Sequence, residues 1–279
     1  MTPAGSVRLV ACDLDGTLLG PDGTIGRTDA EAVLEAAEAG VHIVVATGRP
    51  SRWLGCLDPI AHAHPYVIVS NGAGVHDLAA RRTVQRQAFD RATLEHVAAV
   101  LRSEFPAAAL ALEHGERFGC EPGWIPSSKL RAASVTDEEA AMLVAPWPDL
   151  LDRVHPVLKL LALLPSGDMD EIARAASVAL GDAAVVTHSA APGDRLLLEI
   201  SAPGVSKART LALFCAERGV APAEVAAFGD MPNDLAMLEF AGQPFAMGNA
   251  HPLLRERFEV VGTNAEGGVG ATLRRLLAG

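Results

Sequence analysis

Three short apolar runs near the start of the chain, Val7–Cys12, Val41–Ala46 and Tyr66–Ser70, constrain its fold more than any other feature. Between the first two stands Thr28-Asp29-Ala30-Glu31, the pattern of a capping box that opens a helix, and Gly40 sits where a glycine commonly closes one. The turn Thr47-Gly48-Arg49-Pro50 and a short helix lead to the third run. Strand and helix in alternation build parallel βαβ units with right-handed crossovers. Many Ala/Val/Leu runs suit strands buried on both faces, and 49% hydrophobic residues in a chain of 279 supply a real core. In such sheets ligands bind beyond the carboxyl ends of the strands. Asp13, Thr47 and Asn71 each lie just past such an end, so the first three strands could aim polar groups at one site.

From about Arg81 to about Ala190 the pattern changes. A helix near Arg91–Glu104, an apolar run at Ala107–Leu112 and a Pro/Trp-interrupted stretch through Trp147 come first. A strand near Val157–Leu164, a helix near Met169–Leu180 and a strand near Ala184–Thr187 follow. These elements read as a separate, smaller α+β layer inserted into the alternating fold. The alternation resumes with a helix over Lys207–Arg218 and a strand over Val225–Phe228. The expected division is 1–82, an insertion over 83–190, and a return over 191–279.

The chemistry begins where the first strand runs into Asp13-Leu14-Asp15-Gly16-Thr17-Leu18-Leu19. Two carboxylates ~4 Å apart repel by about 4 kcal/mol at an effective dielectric near 20. Such a pair at a strand end calls for a shared cation or proton. A second acidic cluster, Gly229-Asp230-Met231-Pro232-Asn233-Asp234, follows the strand over Val225–Phe228. If the sheet brings the two together, four carboxylates share one pocket, and Mg²⁺ held by a few carboxylates plus a substrate phosphate fits them. Lys207 is one of only three lysines (with Lys129 and Lys159) among 23 basic residues. At a helix start it offers a point charge instead of a planar fork.

Composition removes several classes of function. A net charge of −11 opposes nonspecific binding to nucleic acid or anionic membranes, so a phosphorylated substrate must be drawn in by local positive charge. No run is long and apolar enough to span a bilayer, and no secretion signal is visible, so a cytoplasmic location is expected. Cys12, Cys56, Cys120 and Cys215 are scattered and read as reduced thiols.

Asp13–Leu19, Thr47-Gly48-Arg49, Lys207 and Asp230–Asp234 resemble the four ordered motifs of the haloacid dehalogenase superfamily, and its Cof-like branch (subclass IIB) most closely. Ser70-Asn71-Gly72-Ala73, Gly204-Val205-Ser206-Lys207, Met247-Gly248-Asn249-Ala250 and Thr263-Asn264 before Glu266-Gly267-Gly268-Val269 are further Cof-like phrases. The resemblance covers both outer segments, and the insertion matches in placement more than in sequence. It implies a Rossmann-like parallel-sheet core with an inserted α+β cap, and Mg²⁺-dependent hydrolysis of a small phosphorylated metabolite such as a sugar phosphate. Asp13 would be the nucleophile, forming an aspartyl-phosphate. Asp15 would protonate the leaving alkoxide and then activate water. Thr47, with Gly48 beside it, would bind the phosphoryl oxygens, and Lys207 would place its charge on Asp13 and the phosphate. Asp13, the Asp15 carbonyl oxygen and Asp230 would hold Mg²⁺, Asp234 would complete the set by orienting metal-bound water or Lys207, and Asn233 would support the loop or touch the phosphate. Relatives that cleave carbon–halogen bonds lack an acid at the position of Asp15, because halide needs no proton; Asp15 therefore favours phosphate esters.

Some positions read two ways. Arg49 contacts substrate or phosphate, or pairs with a nearby acid; Asn71 either bonds near the phosphoryl group or makes an ordinary Asn-Gly turn. His62-Ala63-His64 lacks a third metal ligand nearby, and Trp53, Trp124 and Trp147 read as packing residues, although Trp124 could line the cap. Lys129 and Arg131 suit a solvated face better than a second anion site. Two other functions fit the same residues: a phosphomutase of the same subclass, and a non-catalytic module that binds a phosphorylated ligand. The intact Asp13, Asp15, Lys207 and Asp230 speak against the latter. The oligomeric state is expected to be monomer or homodimer.

Overall fold

The first apolar run becomes strand β1, Leu9–Asp13, with all five residues buried. A computed structural model describes residues 7–124, 142–165, 167–190 and 195–278 of the chain. Helix α1, Arg27–Glu38, follows and is closed by Gly40 at φ +87°, a conformation glycine adopts without steric cost. Its start differs from the expected capping box. Gly26 occupies the N-cap with no side-chain bond, so Thr28 lies inside the first turn. Asp29 is buried and takes the backbone N–H of Gly270 at 2.6 Å instead. Strands β2, His42–Ala46, and β3, Tyr66–Val69, flank a pair of 3₁₀ turns, after which β4, Gly74–Asp77, and β5, Arg82–Arg86, run on.

Residues 86–205 form their own compact unit. Helix α2 spans Arg91–Glu104 and is capped by Asp90, whose carboxylate accepts from the Thr93 N–H. Strands β6, Ala109–Glu113, β7, Phe118–Cys120, and β8, Leu143–Val144, are followed by helix α3, Trp147–Arg153. Strand β9, Lys159–Leu164, and helix α4, Met169–Leu180, come next, then β10, Val185–Ala190, and β11, Leu196–Ser201. Their six-stranded sheet has the order β10-β11-β9-β6-β7-β8. The expected return at 191 is too early. Strand β11 pairs antiparallel with β9 from Leu196↔Leu164 to Ser201↔Lys159, so the chain stays in this unit through Val205. Buried Lys159 and Glu199 meet across that pair at 2.8 Å. Trp124 packs against Phe118 with ring centroids 5.6 Å apart. Lys129 and Arg131 lie outside the described residues.

The first unit, residues 1–85 and 206–279, resumes with helix α5, Lys207–Glu217, strand β12, Val225–Gly229, and the short helix α6, Leu235–Phe240. Strand β13, Gln243–Ala246, helix α7, Pro252–Arg255, strand β14, Glu259–Val260, and helix α8, Gly268–Leu277, complete it. The sheet order is β14-β13-β12-β1-β2-β3-β4-β5. It is parallel from β14 through β3 and turns antiparallel at the β3–β4 hairpin. Late β12 lies directly beside early β1, with Cys12 opposite Phe228. That single pairing brings two acidic clusters more than two hundred residues apart to one sheet edge. Phe228 is fully buried and stacks on Phe245 at 5.1 Å. Burying a side chain of that size contributes about 1.5–3 kcal/mol. Among the described residues no helix is long and apolar enough to cross a membrane.

Candidate active site

Asp13 is the last residue of β1 and is 5% exposed. Lys207 begins α5 behind a Ser206 N-cap and is 3% exposed. Its Nζ donates to Asp13 Oδ1 at 2.5 Å and to Asp234 Oδ1 at 2.8 Å. The other oxygen of Asp234 accepts the backbone N–H groups of Asp230 and Met231, each at 3.2 Å. Asp234 therefore ties the β12 loop to the lysine. Asp230, the first residue past β12, accepts from the Thr17 hydroxyl at 3.1 Å. Oxygens of Asp13, Asp230 and Asp234 lie within 4.8 Å of one another.

Three buried carboxylates face one buried ammonium, and the imbalance shows in the protonation of Asp13 and Asp230. Burial, followed by the charge of Asp234, pushes Asp13 well above the usual carboxylate range. The same two causes raise Asp230 to about 6. Burial works against the charge of Lys207, but Asp13 and Asp234 outweigh it and hold the ammonium above the ordinary lysine range. A group of oxygen donors with excess negative charge suits a hard divalent cation. Gly16 adds a steric sign of the same kind. At φ +88° it carries no side chain, and a Cβ there would stand 2.2 Å from Asp230 Oδ2. The lack of a side chain at Gly16 thus lets the backbone beside Asp15 run close against the Asp230 carboxylate. Among the described residues this is the only grouping of metal-ligand type, and His62 and His64 are not in it.

Asp15 stands apart from the three. Its carboxylate is 54% exposed and is held by Arg49, with Nη2 to Oδ1 at 2.6 Å and Nε to Oδ2 at 3.0 Å. Arg49 thus pairs with an acid across the ends of β1 and β2. Thr47 is fully buried; its hydroxyl accepts from the Arg49 N–H at 3.0 Å and lies 3.4 Å from Asp15 Oδ2. Gly48 lies half-buried between them. Ser70, Asn71 and Gly72 all have positive φ, the kind of strained turn that concentrates at functional sites. The Asn71 N–H donates to the Thr47 carbonyl, and Thr210 Oγ1 donates to the Gly72 carbonyl, so this turn links the β2 loop to α5. Asn233 is exposed in the turn Pro232–Asp234, outside the bonded cluster.

Three supporting residues carry roles that the sequence reading did not assign. Beyond Thr17, Asn249 Nδ2 donates to the Gly16 carbonyl at 2.8 Å, and Asn264 Nδ2 to the Leu19 carbonyl at 2.7 Å. The Asn264 N–H in turn donates to Asn249 Oδ1. Two late phrases of the chain thus pin the Asp15–Leu19 loop. Their presence as Cof-like phrases was the signal; the partners were not visible without the fold.

A parallel sheet with clustered carboxylates and a lysine at its carboxyl edge defines a class of hydrolase. A family model described as haloacid dehalogenase-like hydrolase matches residues 10–273. The chain belongs to the haloacid dehalogenase-like hydrolase family, in its Cof-like branch. It is 27% identical to the 5-amino-6-(5-phospho-D-ribitylamino)uracil phosphatase YwtE of Bacillus subtilis (strain 168), covering 98% of this chain and 99% of that protein. It is also 27% identical to the HMP-PP phosphatase of Escherichia coli O157:H7, over 89% of this chain and 86% of the relative. Among solved structures, SMU.1108c from Streptococcus mutans UA159 superposes with a TM-score of 0.80 at 21% identity, covering 98% and 100% of the two chains. BT1666 from Bacteroides thetaiotaomicron does so with 0.78 at 24%, covering 99% and 98%.

Proposed function

We propose that this chain hydrolyses small phosphomonoesters through an aspartyl-phosphate on Asp13, with Mg²⁺ held at the buried carboxylates. Its activity as a hydrolase of small phosphate esters accords with its family and with relatives named as phosphatases. The single observation that carries the mechanism is the buried cluster of Asp13, Asp230 and Asp234 around Lys207.

With Lys207 bound at Oδ1 of Asp13, a carboxylate oxygen of Asp13 is the attacking atom. That oxygen forms a bond to phosphorus as the bond from phosphorus to the ester oxygen breaks. Asp15, in its acid form, passes its proton to the departing alkoxide. The resulting Asp15 carboxylate then takes a proton from the water that attacks phosphorus. Phosphate leaves, and the Asp13 carboxylate is restored. Thr47 and the neighbouring backbone at Gly48 donate to the phosphoryl oxygens, and Asn71 orders that loop through its own bond to Thr47. Asp13, Asp230 and the Asp15 carbonyl oxygen would hold Mg²⁺. Asp234 acts behind them, since one oxygen is engaged by Lys207 and the other by two N–H groups. A bound Mg²⁺ supplies charge neutralisation to the transferring phosphoryl group. Asn233 keeps the turn that carries Asp234.

Phosphate release tests this reading. Sugar phosphates, nucleotides, pyridoxal phosphate, a phosphoribityl compound and p-nitrophenyl phosphate are each offered with Mg²⁺ and with EDTA. Release in Mg²⁺ should fall by about a hundredfold or more in EDTA, since a metal ion supplies several kcal/mol to such a step. Equal release in EDTA, or release from none of the esters, contradicts it.

A further inference from the structure

Arg49 makes more contacts than a surface ion pair requires. Its guanidinium meets both oxygens of Asp15 through Nε, at 3.1 and 3.0 Å, and Oδ1 again through Nη2 at 2.6 Å. Its third nitrogen, Nη1, lies 3.5 Å from the Cys56 sulfur. The main chain of Arg49 is held on both sides as well. Its N–H donates to Thr47 Oγ1, and its carbonyl accepts from the N–H of Ser70 at 3.0 Å. Ser70 makes that bond from φ +51°, outside the conformations a serine prefers.

An exposed ion pair contributes little to stability, and the Asp15 carboxylate is more than half exposed. A rigidly mounted fork on a half-exposed acid is better understood as a device for orienting that acid. Arginine is the default cation of this chain, so the choice of residue type carries no weight here; the bidentate geometry does. We infer that Arg49 is a positioning residue that acts through Asp15, fixing the plane of its carboxylate for proton transfer, and is not a ligand for the substrate phosphate. This rests on Asp15 being the acid–base group.

The leaving group separates the alternatives. A p-nitrophenolate departs without a proton, whereas an alkoxide needs one. A residue that acts through the acid therefore matters for alkyl phosphates and hardly at all for p-nitrophenyl phosphate. A residue that binds phosphate matters equally for both. The measurement is kcat/KM, which reports the first chemical step, for an alkyl phosphate and for p-nitrophenyl phosphate with Mg²⁺ present. The variants are Asp15→Asn, Arg49→Met, Arg49→Lys and the double variant Asp15→Asn/Arg49→Met, each checked for folding by thermal melting.

General acid catalysis contributes about 10²–10⁴-fold, so Asp15→Asn should lose about that on the alkyl ester and far less on the aryl ester. Arg49→Met should show the same asymmetry at about ten- to a hundredfold, within the range that acid catalysis can supply. Arg49→Lys, which cannot form the fork, should recover only part of the loss. In the Asp15→Asn background, Arg49→Met should cost almost nothing more on either ester, because both changes remove one function. If Asp15→Asn is asymmetric but both Arg49 variants lose equally on the two esters, Arg49 serves the phosphate and the inference is overturned. If Asp15→Asn is itself symmetric, the acid assignment fails and the inference falls with it. Arg49→Lys keeps the question answerable if Arg49→Met does not fold.

Discussion

Gly16 is the position where one methyl group decides the site. It needs both a backbone at φ +88° and room for Asp230 Oδ2 within 2.2 Å of any Cβ. Forcing a side chain into such a conformation costs about 1–3 kcal/mol before any clash is counted. Gly16→Ala should therefore lower the melting temperature and cut phosphate release by about tenfold or more, each ~1.4 kcal/mol at the transition state being a factor of ten. Wild-type activity in that variant would show that the close approach is incidental. At this scale the sequence is legible wherever chemistry is rare for a fold. Adjacent acids at a strand end, or one lysine in a chain that prefers arginine, carry their own explanation. Asn249 and Asn264 do not, because an asparagine in a loop is ordinary until the carbonyl it bonds is known. Arg49 reads two ways in sequence for the same reason: the acid it pairs with lies 34 residues away.

Elements place these side chains, and their pairing sets the electrostatics. Strands β1 and β12 end side by side, and α5 begins where its first residue reaches both acids. Asp13 and Asp230 consequently bind protons more tightly when folded than when unfolded. For carboxylates raised in this way, the stabilisation is fully present below the unfolded value, about 3.9. It is lost as pH rises through the folded values, about 6 for Asp230. In EDTA the protein should thus lose stability as pH climbs across that interval. A cation that replaces the protons should restore it, since binding to the folded state alone stabilises it. The gap in melting temperature between Mg²⁺ and EDTA should widen from pH 5 to pH 7.5, and a gap independent of pH would show that these carboxylates do not hold the ion. The strands and helices of both segments are mostly legible in the sequence. Helix α2 and helix α4 run over the residues their periodicity indicates. The start of α1 is not legible, because the apparent capping box gives way to a tertiary bond from Gly270 to Asp29.

At the scale of the whole molecule, the order of strands in space does what sequence order cannot. The edge carrying the candidate site is assembled from residues 13–17, 47–49, 70–72, 207 and 230–234, while residues 86–205, which separate 72 from 207 in sequence, fold as a unit of their own. The family and its parallel sheet are readable from four short motifs in the correct order. The end of the second unit is less readable. Leu196–Ser201 reads as readily as a core strand, and only its pairing with Lys159–Leu164 assigns it to the second sheet. On the proposed mechanism Asp13 carries the phosphoryl group during turnover. Rapid acid quench of the enzyme turning over an excess of a labelled ester, followed by peptide mapping, tests it most directly. Label on the peptide containing Asp13, absent in Asp13→Asn that still melts cooperatively, is the predicted result. Turnover without a phosphorylated enzyme, or label that persists in Asp13→Asn, would contradict it.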